Sequence, residues 1–172
     1  VAKGTQGQII STIKFYYEQV LNQEKKTYYI KRPKKPKRLP HVLSEAEVTR
    51  LINSVENIKH KCILMLLYSG GLRIGEIINL MIRDIRSDQN CIFIRDAKGS
   101  KDRYTLLSPK LLKYLREYFL LYRPSYWLFE GQFGGQYSTR SINAIFTDAK
   151  LRSNVNLLAT PHSLRHSFAT HL

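Results

Sequence analysis

The chain has 172 residues, the size of one domain or of one domain with a piece of a second. Its 43% hydrophobic and 11% aromatic content is enough for a core and excludes wholesale disorder. Lys and Arg number 28 against 13 Asp and Glu, and the resulting net charge of +15 points to a polyanionic partner. Nucleic acid is expected rather than an acidic membrane, because no basic helix carries a bulky apolar face.

In chain order, residues 7–21 (GQIISTIKFYYEQVL) repeat apolar groups at Ile9, Ile13, Tyr16, Tyr17 and Val20, with Ile10 and Leu21 widening the stripe. That spacing predicts an amphipathic helix. A lone helix cannot bury its own stripe, so residues 1–25 are expected to be the last helix of a domain otherwise absent here. Val rather than Met at position 1 fits a trimmed chain. Residues 26–42 form a basic, proline-containing linker. Within KRPKKPKRLP, Lys31, Arg32, Lys34, Lys35, Lys37 and Arg38 supply six cations, and Pro33 and Pro36 hold the backbone extended. They are expected to lie along phosphates as a strap, with a solvated spacer as the alternative.

A second domain is expected over 43–172. It opens with a capping box from Ser44 to Glu47, flanked by Leu43 and Val48 as a hydrophobic staple. A helix over 58–69 is nearly all apolar past Lys61 and should be central, with Gly70 and Gly71 ending it. Its CILMLLY run, 62–68, is far too short to span a bilayer, and no signal-peptide pattern precedes it. Cys62 and Cys91 lie in apolar surroundings and are expected to be reduced core residues, as in a cytosolic protein.

A new helical period starts near Arg73, with Ile74, Ile77, Ile78 and Met81 on its apolar side. MIRDI, 81–85, is either its end or a first strand. NCIFIRD (90–96) and DRYTLLS (102–108) predict two strands joined by AKGSK as a hairpin turn. A helix over 108–122 follows, with Ser108 as N-cap and Pro109 at the first helical position. Another begins near Ser138. Thr160, Pro161 and His162 then open a helix running to residue 172. The expected fold is mainly α with one small antiparallel sheet, an α+β arrangement.

Three stretches can carry chemistry. In TPHSLRHSFATHL, 100° per residue places His162, Arg165, His166 and Ala169 on one helix face and Leu164, Phe168 and Leu172 towards the other. Free N–H groups and the dipole at a helix start favour an anion. An arginine there holds two oxygens in a planar fork, and a neutral histidine donates a further hydrogen bond. These features describe a phosphate site. A metal is not expected: Ser163 stands where a zinc helix carries glutamate, and Arg165 between the rings would repel a dication. Two locally satisfied histidines are the plain alternative.

YSGGLRIGEIINL, 68–80, sets Arg73 at a helix start with Glu76 three residues on. An arginine among apolar residues must be paired, so a structural Arg73–Glu76 pair and a functional arginine are equally good readings. The hairpin DAKGSKDRYTL carries Lys98 and Lys101 at its tip and Arg103 just beyond. A partly desolvated lysine there could reach a neighbouring site and deliver a proton; a solvated turn is the alternative.

Taken together, G-L-R-x-G-E, then a strand pair with KGSKDR at its turn, then PHSLRHSFATHL closely resembles the tyrosine recombinases, the phage-integrase and Xer-like family of DNA strand-exchange enzymes. The resemblance covers 43–172, and the linker and first helix resemble the end of that family's core-binding domain. It implies a metal-free, cofactor-free enzyme that breaks and rejoins double-stranded DNA through a 3′-phosphotyrosyl intermediate. It further implies self-association on DNA as a synaptic tetramer, no membrane partner, and a cytoplasmic, nucleoid-associated location.

By motif match, the resemblance implies that Arg73, Arg165 and His162 clamp the scissile phosphate. It implies that Lys98 protonates the departing 5′-oxygen, with Lys101 as the alternative. His166 and Glu76 support the site, and Lys101 and Arg103 join the six linker cations in binding DNA. The family's nucleophilic tyrosine follows the His-x-x-Arg-His motif. None of the 11 tyrosines here follows His162, so the nucleophile is expected to be absent from these residues. Tyr104, Tyr118 and Tyr137 are expected to be packing residues. A DNA-binding module without catalysis and a type IB topoisomerase are the alternatives.

Overall fold

Polar side chains at helix starts fix most element boundaries. A computed structural model of the chain describes residues 3–24, 41–97 and 101–172. They fall into two units, 1–39 and 40–172. In the first, α1 (Lys3–Phe15) continues as a π-helical turn over Tyr16–Val20. Most of the expected apolar stripe is exposed: Ile9, Ile13, Tyr16, Tyr17, Val20 and Leu21 face solvent, as does Phe15 beside them.

In the second unit the capping box forms as the sequence predicts. The Ser44 hydroxyl accepts from the Glu47 N–H at 3.3 Å, and the Glu47 carboxylate accepts from the Ser44 N–H at 2.8 Å. It starts α2 (Glu45–Asn53), and Leu43 and Val48 on either side are both buried. Asn57 caps α3 (Ile58–Ser69), in which Cys62 through Leu67 are all buried. This apolar helix is the centre of the core, with α5 (Pro109–Tyr122) and α7 (Pro161–His171) packed on it and α2 and α6 (Thr139–Ser153) completing the helical layer. Burial pushes the Cys62 thiol up to about 12. Ser108 and Ser138 cap α5 and α6 through the N–H groups of Leu111 and Ser141.

The sheet is three-stranded and antiparallel, in the order β1 (Ile85–Arg86), β2 (Cys91–Ala97), β3 (Lys101–Leu106). Its ladder is regular from Cys91–Leu106 to Ile94–Arg103, then slips by one residue before Ala97–Lys101. The extra residue lies in β2, a bulge close to the hairpin end. Arg95 in that stretch holds the buried Asp84 through two hydrogen bonds and fixes β2 to the 3-10 turn over Ile82–Asp84.

Several expectations change. The helix near Arg73, α4, is only Ile74–Ile78, because Met81 leaves it to bridge Trp127. MIRDI becomes the 3-10 turn and the start of β1, organised by Asp84 rather than by local period. Cys91 is half-buried at the start of β2 rather than in the core, its thiol 3.8 Å from the Gln89 amide oxygen. Tyr104 is 61% exposed, and Leu172 is 82% exposed rather than docked. The docking face of α7 instead contains two small polar residues, Ser163 and Ser167, both buried beside Leu164. The Ser167 hydroxyl donates to the Ser163 carbonyl and accepts from the Leu43 N–H, each at 2.8 Å, tying α7 to the start of α2. No helix among the described residues is long and apolar enough to cross a membrane.

Candidate active site

The site is built on the turn between α3 and α4. Gly71 adopts φ +57°, and a Cβ there would stand 2.8 Å from the ring of Phe168 on α7. Glycine is therefore required twice over, by conformation and by the close approach of α7. The turn offers two carbonyls to its neighbours. The Gly70 carbonyl accepts from the Thr105 hydroxyl of β3 at 2.8 Å, and the Gly71 carbonyl accepts from Arg165 Nη1 of α7 at 2.6 Å.

Arg73 follows as the N-cap of α4. Its backbone N–H donates to Glu76 Oε2 and its Nη1 to Oε1, each at 2.8 Å, so the glutamate closes the start of the helix and holds the arginine. Arg103 Nη2, from β3, donates to the same Oε2 at 2.8 Å, and Arg165 Nη1 lies 3.5 Å from it. The Glu76 side chain is 8% exposed, while Arg73, Arg103 and Arg165 keep 37%, 32% and 28% of their side-chain surface. Three elements thus deliver three guanidiniums to one carboxylate.

The electrostatics follow from that count. Burial acts to raise the Glu76 carboxyl, but hydrogen bonds from the Arg73 N–H and side chain, with the charges of Arg103 and Arg73, hold it below the ordinary carboxylate range. It is therefore ionised at neutral pH. Burial first, then the Arg73 charge, draws Arg165 below its usual value, with Glu76 pulling the other way and Arg103 adding to the repulsion. Three cations against one anion leave an excess of two positive charges at half-buried guanidiniums. Each guanidinium has five N–H donors, and one from each is used in the bonds above. Such a cluster suits a multiply charged oxyanion, and bidentate arginine contacts fit a phosphodiester in particular.

The structure thus brings together Arg73, Glu76 and Arg165. Arg103, expected among DNA contacts, joins them. Alternation along β3 points the other way, since it would turn the apolar Tyr104 and Leu106 inward, whereas the structure exposes them and turns Arg103 and Thr105 toward the site. His162 and His166 are exposed on α7 and make no side-chain hydrogen bond or ion pair among the described residues. His162 and Arg165 stand three positions apart, so they share a helix face. Lys101 begins β3 and is exposed. Lys98 and the six linker cations lie outside the described residues. Among the described residues no three His, Cys, Asp or Glu side chains gather as metal ligands.

Residues 41–172 match the phage integrase family. Over 167 residues the chain is 35% identical to the tyrosine recombinase XerA of Pyrococcus horikoshii, covering 95% of this chain and 58% of that one. It is 34% identical over 179 aligned positions to the tyrosine recombinase XerD of Staphylococcus epidermidis, covering 95% and 60% respectively. The crystal structure of a XerA recombinase superposes with a TM-score of 0.72 at 29% identity, over 99% of this chain and 62% of that one. The chain therefore spans about three fifths of the length of these relatives.

Proposed function

The chain belongs to the phage integrase family, and from that premise we propose that the full-length protein is a site-specific DNA recombinase. The observation that carries this is the three-arginine cluster on Glu76, whose excess of two positive charges matches the charge of a phosphoryl-transfer transition state. Arg73, Arg165 and His162 clamp the non-bridging oxygens of the scissile phosphate. As a tyrosine hydroxyl attacks phosphorus, charge gathers on those oxygens, and preorganised guanidiniums stabilise it more than the ground state. The P–O(Tyr) bond forms, the P–O5′ bond breaks, and the tyrosine hydroxyl gives up its proton to solvent water. Lys98, or Lys101, gives a proton to the departing O5′.

The phosphodiester becomes a 3′-phosphotyrosyl ester, so its bond energy is kept for rejoining and the step calls for no metal or high-energy cofactor. Glu76 buttresses the arginines, and His166 supports the same helix face. The attacking tyrosine is proposed to lie outside these 172 residues, because none follows His162. Double-stranded DNA is the partner, with the linker cations along its phosphates and several protomers assembled on it. Residues 1–25 belong to a separate core-binding domain, which the exposed stripe of α1 supports.

A nicked suicide substrate tests the proposal. Full-length protein should form a covalent DNA adduct through a tyrosine, and Arg73→Ala or Arg165→Ala should abolish it while most DNA binding remains. Binding without any adduct from the intact protein would leave only a DNA-binding module.

A further inference from the structure

Arg103 faces the site although it is not one of the residues that clamp the phosphate oxygens. Its strand, β3, turns alternate side chains inward, and two of them end on the clamp's own framework: Arg103 on Glu76 and Thr105 on the Gly70 carbonyl, both at 2.8 Å. The oxygen that Arg103 holds, Oε2, also accepts the Arg73 N–H at 2.8 Å and lies 3.5 Å from Arg165. The strand that leaves the hairpin is therefore pinned to the carboxylate that sets both clamp arginines. The position along the ladder matters as well. Ile94–Arg103 is the last pair in regular register before the slip that precedes Ala97–Lys101. Beyond it the ladder resumes one residue out of step, so the Arg103 side chain ties the outgoing strand to Glu76 at the end of the regular register. A planar, permanently charged fork is suited to that task, where a flexible ammonium would not hold an angle.

We propose that Arg103 is a positioning residue: through Glu76 it ties the hairpin carrying Lys98 and Lys101 to the arginine clamp, so that phosphate binding and proton delivery share one geometry. This rests on the proposed recombinase chemistry, in which a hairpin lysine protonates O5′. Arg103 then affects the rate through leaving-group protonation as well as through the charge it adds to the cluster.

The test compares DNA cleavage by the full-length protein on two substrates that differ in one atom, the 5′-bridging oxygen or sulfur of the scissile phosphate. A thiolate leaves without a proton, so the sulfur-to-oxygen rate ratio reports proton delivery. Both rates come from one preparation, so any loss of folded protein cancels in the ratio. General-acid loss typically costs about 10²–10⁴-fold, and Lys98→Ala or Lys101→Ala should raise the ratio on that scale. Arg103→Ala should raise it in the same direction by at least about tenfold, a fraction of that range. Arg103→Gln, which keeps a donor for Glu76, should raise it less, and Arg73→Ala should leave it unchanged. An unchanged ratio in Arg103→Ala beside a raised ratio in either lysine variant would overturn the proposal. Unchanged ratios in both lysine variants would overturn the lysine assignment, and the proposal with it.

Discussion

Glu76 is nearly buried and faces three guanidiniums, so its removal leaves cations facing one another. Breaking a buried ion pair by deleting one partner costs about 3–5 kcal/mol, so Glu76→Gln should destabilise the fold by roughly 2–3 kcal/mol after allowing for the partly exposed arginines. The pH dependence has a definite sign. The Glu76 carboxyl is held below the ordinary range, so its contribution is present above about pH 4.3 and is lost as pH falls through the lower folded value. The stability difference between wild type and Glu76→Gln in thermal unfolding should be full at neutral pH and shrink below about pH 4. A difference that stays constant down to pH 3 would refute the ion-pair role. The Arg73–Glu76 pair was visible in the sequence because it is local, three residues apart on one helical turn. The place of Arg103 was hidden because it crosses from a strand to a helix 27 residues away.

Among the elements, the Gly70–Gly71 turn gathers β3 and α7 around the start of α4. Gly71→Ala would force a side chain into φ +57° and into Phe168, and should cost about 1–3 kcal/mol or more. Gly75 inside α4 has open space around its Cα and no positive φ, so Gly75→Ala should stabilise by up to about 1 kcal/mol. Urea unfolding of the two variants checks both; equal effects would mean that the turn is not what constrains the site. Helix starts at Ser44, Ser108 and Ser138 were legible because a cap is chemistry within four residues. The 3-10 turn over Ile82–Asp84 was not legible, since the buried Asp84–Arg95 contact decides it from 11 residues away. The buried serines of α7 were missed for a similar reason. Their polarity suggests solvent, while their small size suits a close helix contact that only the assembled fold reveals.

On the scale of the whole molecule, the +15 charge is the feature on which the proposed DNA binding rests. Each phosphate neutralised contributes about −0.9 to the slope of log affinity against log salt, so duplex binding by these 172 residues should weaken steeply between low and high salt. Affinity that is flat across that range would separate the charge from DNA binding. Fold class was legible from period and caps alone, while the chemistry became legible only when three individually weak motifs were taken in order. Burial and ion pairing then showed how all three meet at one carboxylate, through Arg73, Arg103 and Arg165. The central claim is that Arg73 and Arg165 neutralise charge on a scissile phosphate, and replacing that phosphate with an uncharged methylphosphonate tests it most directly. In the full-length protein, Arg73→Ala or Arg165→Ala should form no covalent adduct with the ordinary phosphate and recover adduct formation with the methylphosphonate, where there is less charge to stabilise. Equal failure of these variants on both substrates, or wild-type cleavage of the ordinary phosphate, would contradict the clamp.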